Sequence, residues 1–217
     1  FISQITPFAN QGKTAVICAV DGKAAGIIAI SDQIKETSRS AVSKLENKGI
    51  NTVMLTGDNK QTALTIAGYA GIKNVIYEVL PEDKAAEIKK IQESGKITAM
   101  VGDGINDAPA LAQSDVGIAI GSGTDIAIES ADIVLMNGSL EGVNTAIKLS
   151  HATITNIKQN LFWAFGYNVL GIPIAMGLLH IFGGPLLNPM IAAAAMSLSS
   201  VSVLSNALRL RNFKADA

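Results

Sequence analysis

A long run without a charged side chain constrains this chain more than any other feature of its sequence. From Leu161 to Leu208 there is no Asp, Glu, Lys or Arg, although the 217 residues together carry 17 basic and 18 acidic side chains. Soluble domains expose charged side chains at regular intervals, so they seldom leave so long a run uncharged. The sequence therefore predicts a charge-bearing soluble part, an apolar part and a short basic tail.

The apolar run divides into two segments of membrane-spanning length. Gly183-Gly184-Pro185 separates the first segment, Leu161–Phe182, from the second, Leu186–Leu208. A helix needs about 20 apolar residues to cross a bilayer core of roughly 30 Å, and Gly-Gly-Pro is typical of a tight reversal. Basic residues precede the first segment and follow the second, so the positive-inside rule predicts that both ends face the cytosol. The alternative is a buried helical hairpin in a large soluble core.

Both segments contain polar or sulfur-bearing side chains. Tyr167 and Asn168 lie in the first segment, and Met196, Ser199 and Ser200 lie in the second. Met196 and Ser200 are four residues apart and share a helix face, with Ser199 beside them. Polar groups at membrane depth are costly unless they face protein, water or a ligand, and a thioether suits a soft monovalent ion such as Cu(I). Helix packing through small and hydroxyl residues is the alternative.

Residues 31–136 alternate β-branched apolar runs with helical segments. The apolar runs are 51–55, 74–79, 96–101, 115–120 and 132–136. The helical segments are 33–48, 59–70, 82–94 and 108–113, the first of them following the capping candidates Ser31 and Asp32. This alternation predicts a parallel, doubly wound α/β sheet, in which ligands bind beyond the carboxyl ends of the strands.

Two glycine-containing loops follow strands of this predicted sheet. Thr56-Gly57-Asp58 follows the run 51–55, and Gly102-Asp103-Gly104-Ile105-Asn106-Asp107 follows the run 96–101. Glycines let the backbone approach an anion closely, and the helix N-terminus after each loop offers free N–H groups. Taken singly, the first loop is typical of an ordinary turn and the second of a structural Asx-rich loop.

The side chains of these loops form a pattern suited to a metal and a phosphate. Asp103 and Asp107, with the amide of Asn106, are hard oxygen ligands of the kind that hold Mg²⁺. Lys84, at the start of the next helix, would carry a positive charge to the same edge, although a lone lysine there is usually solvated. Together with Thr56, these residues predict a Mg²⁺–phosphoryl site, where catalysis consists mostly of positioning and charge neutralisation.

The first thirty residues and the composition add further limits. Lys13–Val20 and Lys23–Ile30, joined by Asp21-Gly22, predict a β-hairpin that ends a separate domain, with a hinge near residues 31–35. Cys18 is expected to be a buried core residue of this hairpin, and a single cysteine excludes an internal disulfide and a Cys-based zinc site. A net charge of −1 makes nucleic acid an unfavourable partner. The start, Phe-Ile-Ser-Gln, indicates a fragment or a processed piece.

Several motifs resemble those of a known family. Met-Leu-Thr-Gly-Asp-Asn (54–59), Pro-Glu-Asp-Lys (81–84) and Met-Val-Gly-Asp-Gly-Ile-Asn-Asp-Ala-Pro-Ala-Leu (100–111) resemble the phosphorylation-domain motifs of P-type ATPases. Tyr167-Asn168 followed by Met196-x-x-Ser199-Ser200 resembles the heavy-metal subclass that exports Cu(I). The resemblance covers essentially the whole chain. It implies a haloacid-dehalogenase-like α/β domain with a parallel sheet, followed by a two-helix transmembrane hairpin.

The resemblance also implies a role for each candidate residue. Thr56, Gly57 and Asp58 would hold the phosphate and face the nucleotide, and Lys84 would neutralise phosphoryl charge. Asp103 would bind Mg²⁺, with Asn106 and Asp107 assisting its placement. The route of Cu(I) would involve Tyr167, Asn168, Met196, Ser199 and Ser200. ATP is then the substrate, Mg²⁺ the cofactor and Cu(I) the transported ion.

The implied domains leave much of such a pump outside this chain. They are 1–30 (final hairpin of the nucleotide-binding domain), 31–138 (phosphorylation domain core), 139–160 (linking helix), 161–182 and 186–208 (transmembrane helices) and 209–217 (cytosolic tail). The family's Asp-Lys-Thr-Gly-Thr motif, which carries the phosphorylated aspartate, and its Cys-Pro-Cys ion ligands do not occur here. The chain alone is therefore expected to be inactive. Its expected partners are the remainder of the same pump, a lipid bilayer and a copper chaperone.

The resulting functional hypothesis is an ATP-driven Cu(I) exporter that is integral to a membrane, the plasma membrane by expectation. A zinc or cadmium pump is an alternative, although that branch is expected to carry charged residues in these spans. A membrane-tethered phosphatase of the same superfamily is another, but it needs a nucleophilic Asp-x-Asp near a first strand. A non-catalytic interaction fragment is the third alternative.

Overall fold

The computed structural model describes residues 2–10, 13–30, 34–103, 105–121, 128–185 and 188–214. The chain divides into two compact units, Phe1–Asn144 and Thr145–Ala217. The capping candidates Ser31 and Asp32, with most of the expected hinge, lie outside the described residues. So do Gly104 of the second loop motif and Leu186, the first residue of the second predicted span.

The first unit opens with a helix and a β-hairpin. Helix α1 (Ile2–Asn10), which the sequence did not predict, is followed by the antiparallel strands β1 (Thr14–Val20) and β2 (Lys23–Ile30). Asp21 and Gly22 both have positive φ angles, 49° and 75°, which is the reason that an Asp-Gly pair favours this turn.

Cys18 in this hairpin is half-buried, where the sequence predicted a buried core residue. The register shifts between Cys18 and Ala19. The two-stranded sheet also leaves Val16 and Ile28, which pair across it, largely exposed. A hairpin with both faces partly open cannot enclose a small side chain fully, so the thiol remains accessible in part.

Parallel strands alternate with helices through the rest of the first unit. The strands are β3 (Val53–Leu55), β4 (Asn74–Ile76), β5 (Ala99–Gly102), β6 (Val116–Ile120) and β7 (Ile133–Leu135). The helices are α2 (Glu36–Glu46), α3 (Lys60–Ala70), α4 (Lys84–Glu93) and α5 (Ala108–Gln113). The predicted alternation and the parallel pairing are confirmed, with shorter strands than the apolar runs suggested.

The strands form two sheets and not the one continuous sheet that the alternation predicted. Among the described strands, β3 pairs with β4, and β5, β6 and β7 form a second sheet in that order. Within the described residues, no backbone ladder joins β3 to β5. Alternating apolar runs predict parallel strands but carry no information about which strand edges pair, so this division was not foreseeable from periodicity.

One small apolar core holds the candidate loops in place. Ile88 of α4, Met100 of β5, and Ala110 and Leu111 of α5 are buried together, and Leu55 of β3 packs against them. Leu55 is the last residue of β3, directly before Thr56. Burying an aliphatic side chain of this size contributes roughly 1.5–3 kcal/mol to the stability of the fold. The core therefore holds β3 and β5, and with them the loops that follow these strands, in place.

The second half of the sequence is dominated by long helices. Helix α6 (Glu141–Ala175) continues without a break through the expected linking segment into the first predicted span. It ends before Gly177, whose φ of 89° is left-handed, and a short helix α7 (Leu178–Ile181) follows. Helix α8 (Pro189–Leu208) covers most of the second predicted span. Among the described residues, no helix combines the length and the apolarity that crossing a membrane requires.

Candidate functional site

The candidate site lies where three loops follow the strands β3, β4 and β5. Because β3 and β4 run parallel, their carboxyl ends lie at the same edge. The Thr56 N–H donates to the carbonyl of Ile76 at 3.0 Å, and the Val79 N–H donates to the carbonyl of Thr56 at 3.2 Å. The loops after β3 and β4 are therefore held together by backbone hydrogen bonds on both sides of Thr56.

The first motif loop is folded tightly on itself. The Thr56 hydroxyl donates to Oδ2 of Asp58 at 3.0 Å and accepts the Asp58 N–H at 3.1 Å. A Cβ on Gly57 would lie 3.2 Å from the carbonyl oxygen of Val79, so a larger residue would press on the neighbouring loop. Asp58 and Gly57 are exposed, whereas Thr56 is half-buried. The loop thus presents a carboxylate and bare backbone to solvent.

A second contact joins the loop after β4 to the loop after β5. Lys84 Nζ lies 2.7 Å from Oδ1 of Asp107, and the two side chains are only 16% and 14% exposed. Lys84 is the first residue of α4, and Asp107 directly precedes α5. A charge-assisted hydrogen bond that is shielded from water is short and strong, so it fixes both helix starts relative to each other.

Gly102 is required by the position of Asp107. A Cβ on Gly102 would lie 2.7 Å from Cβ of Asp107 and 2.8 Å from its Oδ2, distances that real Cβ atoms do not reach. The Asp107 carboxylate therefore lies directly against the carboxyl end of β5. Asp103, the next residue after Gly102, is exposed, and so is Asn106.

The donor set at this point fits a hard divalent cation. Asp103, Asn106 and Asp107 supply carboxylate and amide oxygens, the ligands that Mg²⁺ prefers. Oδ1 of Asp107 contacts Lys84, while its Oδ2 lies beside the end of β5, where Asp103 follows. Within the described residues, no cluster of three or more His, Cys, Asp or Glu side chains is placed to hold a metal, so the amide and water would have to complete a coordination shell.

Some of the predicted site residues are brought into contact and others are not. Lys84 and Asp107 are paired, and Thr56 and Asp58 are paired. Within the described part of the chain, no hydrogen bond or ion pair joins Thr56 or Asp58 to Asp103, Asn106 or Asp107. The link between the two motif loops runs through the loop after β4.

The candidate Cu(I)-route residues make contacts within their own helices. Nδ2 of Asn168 donates to the carbonyl of Ala164 at 2.7 Å, and the Ser200 hydroxyl donates to the carbonyl of Met196 at 3.4 Å. The Tyr167 ring lies 6.3 Å from the Trp163 ring, centroid to centroid. Among the described residues, no hydrogen bond joins the two predicted spans at these positions. Met196 is 74% exposed, and Ser199 is half-buried.

A polar strap that the sequence reading missed ties α2 to the start of α6. Glu141 Oε1 accepts from Lys44 Nζ at 3.0 Å and from the Ser40 hydroxyl at 3.1 Å. Asn144, which is buried, accepts from Lys48 Nζ at 2.8 Å and donates to the carbonyl of Ala41 at 3.0 Å. The spacing of Ser40, Lys44 and Lys48 along one helix face was the available signal, but it did not reveal the partner.

Asp115 is a second carboxylate with a structural role that the sequence reading did not single out. Its Oδ2 accepts the backbone N–H of Thr98 at 2.7 Å and the Thr98 hydroxyl at 3.0 Å. These hydrogen bonds, chiefly the one from the Thr98 backbone, lower the pKa of Asp115 below its ordinary value. The carboxylate thereby ties the residue before β5 to the residue before β6.

Comparisons with known proteins show the family to which this chain belongs. A family model described as haloacid dehalogenase-like hydrolase matches residues 2–115. Copper-transporting ATPase 1 of Rhizobium meliloti is 55% identical over 212 residues, which is 98% of this chain and 26% of that protein. The copper-exporting P-type ATPase of Bacillus subtilis is 56% identical over 214 residues, with the same two shares.

Among solved structures, a zinc-transporting PIB-type ATPase in the E2.Pi state matches with a TM-score of 0.79 and 37% identity. The match covers 97% of this chain and 33% of that one. The chain thus spans about a quarter of the length of the curated relatives it matches. The resemblance to P-type ATPases that the motifs indicated is confirmed. The family match covers the strands and loops of the candidate site, and the chain belongs to the haloacid dehalogenase-like hydrolase family.

Proposed function

We propose that this chain is part of an ATP-driven Cu(I) transporter, which couples Mg²⁺-dependent ATP hydrolysis through an aspartyl-phosphate to copper export across a membrane. The observation that carries the proposal is the shielded Lys84–Asp107 pair at the carboxyl ends of parallel strands. It gives this edge the charge and the rigidity that a phosphoryl site needs. The high identity to copper-transporting P-type ATPases supports the choice of transported ion.

In this proposal each loop has one task at the phosphoryl group. Thr56, Gly57 and Asp58 hold the phosphate and face the nucleotide. Asp103, with Asn106 and Asp107, would hold Mg²⁺, which would neutralise charge on the phosphoryl oxygens. The phosphorylated aspartate itself would be supplied by the remainder of the pump, because no Asp-Lys-Thr-Gly-Thr stretch occurs in this sequence.

Lys84 is suited to serve both a carboxylate and a phosphoryl group. An ammonium carries three N–H donors, and the contact with Asp107 uses one of them. The other two donors are available for an anion that enters the same edge. The pair therefore holds the lysine in place before substrate arrives, so that less side-chain freedom is lost on binding.

The transported ion would be bound by residues of α6 and α8. Met196 offers a soft sulfur, and Tyr167, Asn168, Ser199 and Ser200 offer oxygens. A zinc or cadmium pump is the second candidate, because one matching solved structure is that of a zinc-transporting ATPase. The absence of any Asp, Glu, Lys or Arg between Leu161 and Leu208 favours Cu(I), since a divalent ion carries two charges that an uncharged set of ligands leaves unbalanced.

The remaining elements of the proposal concern location and partners. The apolar segments would place the protein in a membrane, the plasma membrane by preference, with both ends of the chain in the cytosol. The partners would be the remainder of the same pump, the lipid and a copper chaperone. A phosphatase of the same family is less favoured, because Asp21 lies in the hairpin turn and Asp32 follows β2, so neither supplies an Asp-x-Asp pair.

The test uses the full-length protein in lipid vesicles, with Cu(I), Zn²⁺ and Cd²⁺ compared as stimulants of ATP hydrolysis. We expect Cu(I) to stimulate most strongly, and we expect Met196→Ala and Asn168→Ala each to reduce that stimulation at least tenfold. Ser202→Ala is the matched control, because its hydroxyl donates only to Leu198 of its own helix, at 2.8 Å. Undiminished copper stimulation in both site variants would refute the proposed ion site, and stimulation by Zn²⁺ alone would favour the second candidate.

A further inference from the structure

Three asparagines join α6 to α8 at one end of the second unit, and Arg209 contacts one of them. Nδ2 of Asn156 donates to the carbonyl of Asn206 at 2.6 Å, and Nδ2 of Asn206 donates to Oδ1 of Asn160 at 2.9 Å. Nδ2 of Asn160 donates to Oδ1 of Asn156 at 3.0 Å, and Arg209 donates to Oδ1 of Asn206 at 3.2 Å. We call these four residues the asparagine clamp.

Two members of the clamp are buried, and hydrogen bonds connect all four. Asn156 and Asn206 are 8% and 9% exposed, although asparagine is a poor helix former and is usually found at the surface. Buried amides are costly unless their donors and acceptors are paired, so alignments that separate these residues are disfavoured. A single buried asparagine is known to fix the register of neighbouring helices for the same reason.

The two helices extend from the clamp by equal lengths. From the level midway between Asn156 and Asn160, α6 continues to Ala175, and α8 runs back from Asn206 to Pro189, about five helical turns in each case. After α6, residues 176–185 contain the short helix α7 and turns. The two arms are therefore of equal length, and the hydrogen bonds that join them lie at the clamp.

Counted along their helices, two candidate residues lie equally far from the clamp. Asn168 is ten positions beyond the midpoint on α6, and Met196 is ten positions before Asn206 on α8. At about 1.5 Å per residue, both lie about 15 Å from the clamp. A slip of one residue would shift the level by about 1.5 Å and turn the Met196 side chain by about 100° around its helix.

We infer that the asparagine clamp is a positioning device, which sets the axial register of α8 against α6 and so keeps the Met196 thioether level with Asn168. The inference rests on the proposed function, because these two residues are the proposed Cu(I) ligands. None of the clamp residues binds the ion; each acts through the alignment of the helices. Arg209 follows the last residue of α8, where a cation is favourable to the helix dipole and holds the Asn206 amide in its orientation.

The clamp offers a matched pair of variants at one position. Asn160→Asp keeps an acceptor oxygen for the Nδ2 of Asn206 and loses only the bond to Asn156 in its own helix. Asn160→Leu also removes the bond from Asn206 to Asn160, and it keeps the bond from Asn156 to the carbonyl of Asn206. Asn206→Leu removes both side-chain donations to α6. Gln159→Leu is the control, because Gln159 is an exposed amide on the same helix.

The first measurement reports the register without reference to copper. In the 217-residue chain with Cys18→Ser, spin labels at the exposed positions Val169 and Leu198 give a distance distribution between the two helices. We expect one narrow distribution for the starting chain, for Asn160→Asp and for Gln159→Leu. Asn206→Leu and Asn160→Leu should broaden it or move it. An unchanged distribution in both leucine variants would overturn the inference.

The second measurement links the register to the ion in the full-length protein. We expect Asn206→Leu to raise the KM for Cu(I) at least tenfold, while hydrolysis of an aryl phosphate in the absence of copper stays within twofold. A changed distance distribution with an unchanged KM would overturn the positioning role. If the unmodified protein shows no copper stimulation, the proposed function fails and the positioning role fails with it, whatever the label distances are.

Discussion

At the scale of single residues, Gly102 shows how little space the candidate site leaves. A Cβ at this position would overlap Asp107, and Asp107 cannot retreat without breaking its 2.7 Å contact with Lys84. A strand normally accepts alanine more readily than glycine, since glycine has no side chain to pack and loses more conformational freedom on folding. The local contacts reverse that preference here.

We therefore expect Gly102→Ala to lower the free energy of unfolding by about 1–3 kcal/mol, as overpacked substitutions do. The same change should abolish most of the ATPase activity of the full-length protein, because Asp107 and Lys84 move apart. Urea denaturation and steady-state hydrolysis measure the two effects. The control is Gly26→Ala in β2, where a Cβ meets nothing within 4 Å, and a similar loss in that variant would contradict the explanation.

At the scale of secondary-structure elements, the polar strap holds α2 against the start of α6. Glu141 is its central acceptor, and the hydrogen bond from Lys44 holds the pKa of Glu141 below its ordinary value of 4.5, although partial burial acts in the opposite direction. The bond from Ser40 and the charge of Lys48 add to the lowering. A carboxyl group whose pKa is lower in the folded state stabilises the fold only while it is ionised.

The sign of the pH dependence follows from this shift. The stabilisation by Glu141 is fully present above its unfolded pKa of about 4.5, and it is lost as the pH falls through the lower pKa of the folded state. We expect Glu141→Gln to reduce stability at pH 7 by up to about 1 kcal/mol, the range for partly exposed pairs, and to flatten the decline in acid. Thermal unfolding from pH 7 to pH 3 measures both effects.

Two further variants separate the strap from general charge effects. Glu93→Gln removes an exposed carboxylate near the end of α4 and should leave the acid decline unchanged. The double exchange Lys44→Glu with Glu141→Lys keeps the pair in reversed order and should recover part of the stability lost in either single variant. No recovery in the double exchange would show that the pair itself is not the source of the effect.

At the scale of the whole molecule, the first unit depends on one small core below the candidate site. Leu111 is 1% exposed and is the largest side chain that is fully buried among the described residues. It lies in α5, whose N-terminus carries Asp107. The same side chain therefore stabilises the fold and positions the site.

We expect Leu111→Ala to cost about 2–5 kcal/mol in the free energy of unfolding, the usual range for a cavity in a core. The KM for ATP of the full-length protein should rise as well, because α5 can then shift under Asp107. Leu149→Ala is the comparison, since this leucine of α6 is 44% exposed and should cost much less. An equal loss of free energy of unfolding in the two variants would contradict the conclusion that the stability of the first unit depends on this core.

Local chemistry made much of the fold predictable. Asp21-Gly22 predicted the hairpin because the turn needs positive φ angles. Helix α3 begins after its N-cap Asn59 and ends at its left-handed C-cap Gly71. Helix α6, by contrast, ends before the expected boundary of the first span. Gly177 adopts a left-handed conformation, which glycine accepts without strain. Because glycine also accepts the helical conformation, its presence in the sequence did not predict that the helix ends here.

The sequence predicted a set of candidate residues for the site but not the contacts between them. Parallel strands bring their carboxyl ends to one edge, so Thr56, Lys84 and Asp107 were expected near each other. The pairing of Lys84 with Asp107 depends on how α4 and α5 pack over Leu111, and no sequence spacing encodes that. The polar strap joins residues about a hundred positions apart and the asparagine clamp residues about fifty apart, so both were missed.

The sequence by itself determined the kinds of element in this protein, the loop chemistry and the separation of a charged part from an apolar one. These properties depend on neighbouring residues, through backbone preference, capping and the cost of burying charge. Only the tertiary structure decided which strand edges pair, which carboxylate Lys84 meets and which asparagines align α6 with α8. Those choices depend on packing between distant segments, where buried polar groups must find partners and apolar side chains must fill the core.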